Sequence, residues 1–158
     1  MTVMSDCLRG MIRAEPGHDF IAADFSAIEA RGLAWLAGEE RVLEIFRGHG
    51  KIYEHAAAGI YGKPMADVTK DERQIGKVAV LALGYQGGVG AFQTMARGYG
   101  VQVSDERAEE IKTAWRKAHP AIVQYWYDLE EAAVSAVLRP GEPFSAGATG
   151  RGVTFKRR

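Results

Sequence analysis

The chain has 158 residues, with Lys+Arg 20 against Asp+Glu 20, four His and a single Cys. That length suits one domain, or a domain and a fragment, with room for a real core, and 47% hydrophobic with 25% charged residues excludes the disordered and low-complexity classes. Balanced charge gives no compositional support for nucleic-acid binding, and no run reaches the roughly 18 apolar residues of a membrane span. The opening MTVMSDCLRGMIRAEPG has no apolar h-region, so no secretory signal is expected, and a lone Cys7 fits a cytoplasmic protein. Glycine is the outlier, 19 of 158 residues against a norm of about 7%, which suggests many turns or backbone brought close to something.

In chain order, residues 18–25 (HDFIAADF) read as a short buried strand after the turn signal Pro16-Gly17. Ser26-Ala27-Ile28-Glu29 has capping-box spacing, which predicts a helix from Ser26 to Gly38. Further helices are predicted at 39–47, closed by Gly48, and at 50–61, closed by Gly62. Thr69-Lys70-Asp71-Glu72 repeats the capping-box spacing, and its helix should give way near Gly84. A short helix at about 89–98 follows, then a longer one capped by Ser104, bent or broken at Pro120 and resumed to Leu138. The tail 139–158 reads as a β-hairpin. One strand and one hairpin are too little sheet to stand alone, so either the strand is accessory to a helical fold or its sheet is completed elsewhere. The fold class expected is α+β, predominantly α-helical.

Two features stand out chemically. Asp24 ends the apolar run and Glu29 lies one turn into the next helix, a place where a divalent metal is often held by one or two carboxylates. On spacing alone the plainer reading is preferred, since cap geometry explains Glu29 without any chemistry. Arg73 and Lys77 stand at i, i+4, with Leu81 and Tyr85 continuing the same stripe. Two cations one turn apart near a helix N-terminus repel each other and oppose the macrodipole. Either Asp71 and Glu72 neutralise them, or a polyanion such as a nucleoside triphosphate lies along the helix. The glycines at 84–90 do not form a phosphate loop, and no histidine spacing suits zinc. The aromatic residues at 115 and 125–127 read as core or as a domain contact.

Asp24-Phe25-Ser26-Ala27-Ile28-Glu29-Ala30-Arg31 resembles motif A of family A DNA polymerases, D-Y-S-x-I-E-x-R. Arg73-x-x-x-Lys77-x-x-x-Leu81-x-x-x-Tyr85 is similar to their motif B, R-x-x-x-K-x-x-x-[FY]-x-x-x-Y, on the fingers helix. Both motifs occur in order, at suitable separation. The likeness extends upstream to Leu8-Arg9 and Ala14–Gly17, and downstream to His119–Trp126, in the manner of phage-type members. It implies nucleotidyl transfer by two Mg²⁺ ions, with Asp24 and the main-chain carbonyl of Phe25 as metal ligands. Ser26 and Glu29 would border the substrate, Glu29 crowding the sugar 2′ position together with Tyr85. Arg73 and Lys77 would grip the triphosphate, Lys77 also protonating the pyrophosphate, while Tyr85 would line the nascent base pair on the template side and Leu81 would face the incoming nucleotide without aromatic stacking. Primer–template DNA and dNTP are the implied partners.

The sequence departs from the family pattern in specific places. Leu81 stands where Phe or Tyr is usual, Ala27 replaces a common Gln, and Tyr53 stands about where many members carry a phosphate-reaching His. No H-D-E triplet of motif C, with its second metal-binding Asp, follows motif A within the 158 residues. The expectation is therefore partial palm over 1–48, helical fingers over 49–138 and a hairpin returning toward the palm over 139–158. The 158 residues alone are expected not to polymerise, and their exposed apolar faces should favour self-association. The alternative is a non-catalytic nucleotide- or DNA-binding module, or a prophage remnant.

Overall fold

The computed structural model describes residues 7, 8 and 10–158, so Arg9 of the upstream likeness lies outside the described residues. Local signals cut the chain into helices much as the sequence predicts: α1 (Ile28–Ala37), α2 (Glu40–Arg47), α3 (Ile52–Tyr61), α4 (Lys70–Leu83), α5 (Val89–Gly98), α6 (Asp105–Ala118) and α7 (Pro120–Leu138). A single 3₁₀ turn, Met65–Asp67, leads into α4. Gly38 and Gly62 end α1 and α3 at φ 72° and 63°, the left-handed conformation that residues with a Cβ avoid. At the start of α4 the capping box is complete: Thr69 accepts from the Glu72 amide, and the Glu72 carboxylate accepts from the Thr69 amide at 2.8 Å. Ser104 likewise caps α6. His119 ends α6 and begins α7, with Pro120 at the first helical position, so the proline breaks the helix there.

The hairpin is β1 (Phe144–Ala146) against antiparallel β2 (Val153–Phe155), in the register Phe144 opposite Phe155 and Ala146 opposite Val153. Its loop docks on the C-terminus of α1, where the Ala148 amide donates to the Leu36 carbonyl at 2.8 Å. The architecture is thus α+β and mostly helical.

Two expectations fail at the N-terminal side. Residues 18–25 form no strand; they run as irregular chain, with Phe20 70%, Ile21 89% and Phe25 78% exposed. A strand is defined by its ladder, and no segment among the described residues pairs with this one. The Ser26 capping box is also absent. Ala27, in the left-handed region at φ 50°, precedes the helix, and no side chain caps it. The helix starts two residues later than predicted, and Glu29 remains in its first turn, free of the cap role.

Helix α4 holds the assembly together. Its Ile75, Val78, Ala79, Ala82 and Leu83 enter a core shared with α5, α6 and α7, where Phe92 and Leu83 are fully buried. Its Val80 joins a second cluster with Ala34, Val42, Leu43, Ile52 and Ala56. Burying a side chain such as Leu83 or Phe92 contributes about 1.5–3 kcal/mol, so the face of α4 left outside these clusters is positioned firmly. Among the described residues no helix is long and apolar enough to cross a membrane.

Candidate functional site

The cation-bearing face of α4 is what remains once its apolar positions are buried. Arg73 is exposed; its Nε donates to Glu54 Oε1 at 2.9 Å, and its guanidinium lies over the Tyr53 ring at 5.4 Å. Burial works upward on the Glu54 carboxyl, but the Arg73 hydrogen bond, a backbone hydrogen bond and the nearby cations outweigh it and hold the group below its usual 4.5. One turn on, Lys77 is half-buried, with its ammonium 4.7 Å from the centre of the Tyr99 ring. It makes no ion pair among the described residues. Aromatic faces attract a cation without neutralising it, so Lys77 keeps its charge available to an anion. Leu81, half-buried, continues the stripe, and Tyr85 stands just past the helix end, 65% exposed.

The alternative that Asp71 and Glu72 neutralise these cations does not hold. Glu72 pairs with Lys63 at 2.6 Å as well as closing the capping box, and Asp71 makes no ion pair among the described residues. Arg73 is neutralised instead by Glu54, which lies on α3, and Lys77 has no carboxylate partner among the described residues. Glu54, Tyr53 and Tyr99 surround the two cations from other elements. Only Tyr53 carried a sequence signal, through its place in the family pattern.

Asp24 and Phe25 lie at the end of the irregular segment and are exposed. Asp24 takes part in no ion pair or side-chain hydrogen bond among the described residues. Ser26, also exposed, gives its carbonyl to the Arg31 Nε at 2.9 Å, which ties the turn to α1. Glu29 projects from the first turn of α1. Glu29 and Tyr85, far apart in sequence, line one open cavity of about 880 Å³, together with Leu33, Tyr125 and Trp126. Burial, and then the Glu29 carboxylate, push the Tyr85 hydroxyl above its usual 10.0. A residue from each of the two motifs therefore meets across this cavity.

As for a metal, the described residues contain no group of three or more His, Cys, Asp or Glu able to hold an ion. The unpaired Asp24 carboxylate and the adjacent Phe25 carbonyl are hard oxygen donors. Such a donor pair suits a Mg²⁺ that keeps most of its shell in water and phosphate, and does not make a cage of its own.

A family model described as DNA polymerase family A matches residues 2–138. The DNA polymerase of Bacillus phage SP02 is 48% identical over 137 residues, which cover 85% of this chain and 21% of that protein. DNA polymerase I of Aquifex aeolicus (strain VF5) is 31% identical over 122 residues, 77% of this chain and 21% of its own length. The DNA polymerase of Mycobacterium phage D29 is 28% identical over 120 residues, 75% of this chain and 18% of its own. The chain thus spans about a fifth of the length of these relatives.

Proposed function

The chain belongs to DNA polymerase family A, and we propose that it grips the incoming dNTP of a template-directed DNA polymerase between the Asp24–Glu29 segment and the Arg73–Tyr85 face. One observation carries this reading: Glu29 and Tyr85 line the same cavity, at the C-terminal end of the helix that carries Arg73 and Lys77, although neither cation lines the cavity itself. Arg73 and Lys77 hold the triphosphate, and Lys77 protonates the departing pyrophosphate. Glu29 and Tyr85 wall the sugar, so that a 2′-hydroxyl meets a carboxylate and a ring. Leu81 gives the base an aliphatic surface in place of an aromatic one, and Tyr85 borders the nascent pair, with Ser26 beside the substrate.

Asp24 and the Phe25 carbonyl are the residues that would hold Mg²⁺. When bound, the metal would supply charge neutralisation for the phosphates and a lower pKa for the primer hydroxyl. In this reading residues 1–48 are palm, 49–138 fingers and 139–158 a hairpin returning toward the palm, with primer–template DNA as partner and the cytoplasm as working place. These 158 residues alone bind dNTP without extending a primer, because one carboxylate does not hold two ions in line. The exposed Phe20, Ile21, Phe25 and Ile28 favour self-association at high concentration; a clean monomer by sedimentation at high concentration would refute that part.

The test is calorimetric titration of the chain with dATP and Mg²⁺, wild type against Lys77→Ala. Loss of one charge-assisted contact, about 1.5–3 kcal/mol, should weaken binding by roughly ten- to a hundred-fold. Binding unaffected by Lys77→Ala would remove the triphosphate assignment.

A further inference from the structure

The turn that presents Tyr85 is strained and confined. Gln86 takes φ 62°, a conformation that costs a residue with a Cβ on the order of 1 kcal/mol and persists only when its surroundings hold it. Gly87 admits no side chain, since a Cβ there would collide with the Ala82 carbonyl. Two side chains from outside the turn hold its ends. The Trp126 indole N–H on α7 donates to the Gly84 carbonyl at 3.1 Å, and the Arg116 guanidinium on α6 donates to the Gly87 carbonyl at 3.3 Å. The same guanidinium lies over the Trp126 ring at 5.7 Å.

Behind them, Trp115 runs parallel to Trp126 at 6.0 Å and 8°, and His119 stacks on Trp115 at 4.2 Å. The bracket is therefore built into the core, with Trp126 7% exposed, while Tyr85, between the two gripped carbonyls, is 65% exposed. Such an arrangement fixes the backbone of an exposed side chain without touching its ring from the solvent side.

We propose that Trp126 and Arg116 are positioning residues that set the orientation of Tyr85, and through it the selectivity of the cavity for a deoxyribose over a ribose triphosphate. The selectivity half of this inference rests on the proposed reading of the cavity; the orientation half does not.

The test uses the full chain with 3-fluorotyrosine at position 85, observed by fluorine NMR without ligand. Trp126→Phe keeps a ring and removes the donor; Arg116→Met keeps the stem and removes the other. Each should shift or broaden the fluorine signal, whereas Lys117→Ala, on an exposed site of the same helix, should leave it in place. An unchanged signal in either folded variant overturns the proposal, and should one variant fail to fold the other still decides. The same proteins are then titrated with dATP, ATP and inorganic tripolyphosphate in Mg²⁺. Loss of one hydrogen bond should reduce the dATP-to-ATP preference about three- to ten-fold and leave tripolyphosphate binding unchanged. Equal weakening of all three ligands would mean general loosening and would overturn the proposal. A moved fluorine signal with unchanged preference would leave the bracket standing and refute the sugar-wall role of Tyr85 instead.

Discussion

Gly76 offers a sharp test of how α4 is seated. It lies in the middle of the helix, where exchanging Gly for Ala ordinarily stabilises by about 0.8–1.0 kcal/mol. Here an added Cβ would lie 2.9 Å from the Ala57 amide nitrogen and 3.0 Å from the Ala57 Cβ, and would overlap the Tyr53 carbonyl oxygen. Carbon pairs sit comfortably at about 3.5–4.0 Å, so α3 and α4 would have to separate by on the order of an ångström. The colliding atoms are mostly backbone, which no rotamer change relieves, and overpacking of this kind costs about 1–3 kcal/mol. Because there is so little give, the upper end of that range applies, and Gly76→Ala should be net destabilising by about 2 kcal/mol after the propensity gain. For a chain of this size that lowers Tm by about 4–8 °C in thermal unfolding followed by circular dichroism. The control is Gly59→Ala on the exposed side of α3, with nothing within 4 Å of the added carbon; it should raise Tm. A Gly76→Ala protein as stable as wild type would mean that α3 and α4 do not pack as described.

Thr69→Ala removes a formed capping box and should cost about 1 kcal/mol in urea unfolding, whereas Ser26→Ala, where no cap forms, should be close to neutral. Glu39, 4% exposed, accepts the Ala121 amide at 3.0 Å and so satisfies the start of α7; Glu39→Ala should destabilise by about 2 kcal/mol in the same assay. Burial pushes the His119 ring below its usual 6.5, with His55 acting in the same direction and the Trp115 carbonyl and Glu39 opposing. The unfolded chain then protonates first, so this contribution is fully present above about pH 6.5 and is lost as pH falls below it. Urea midpoints from pH 7.5 to 5.5 should decline in wild type and decline less in His119→Gln; identical slopes would refute the assignment.

What was legible in the sequence follows from what is local. The ends of α2, α3, α4 and α5 were readable because a glycine or a Thr-x-x-Glu pattern decides them within a few residues. The strand at 18–25 was not, because pairing is a property of two segments and apolar content speaks for only one. The Ser26 box failed for a related reason: spacing permits the cap, but the left-handed Ala27 puts the helix start beyond the reach of Ser26. At the site, the stripe from Arg73 to Tyr85 was visible as periodicity. The partners that define it were not, since Glu54, Tyr99, Arg116 and Trp126 reach it from four different helices or their ends. Their advance traces were the aromatic residues at 115 and 125–127, which read as core and in part are core, and the place of Trp126 in the downstream family likeness.

The pairing of Arg73 with Glu54 has one more consequence. An anion arriving at this guanidinium does not fill an empty berth; it evicts an incumbent, so the affinity measured is a difference between two partners. In the proposed reading of this face, a lone phosphate would offer little beyond what the carboxylate already gives, while a chain of phosphates that also reaches Lys77 would win the exchange, so the surface ion pair would act as a filter for polyphosphate length.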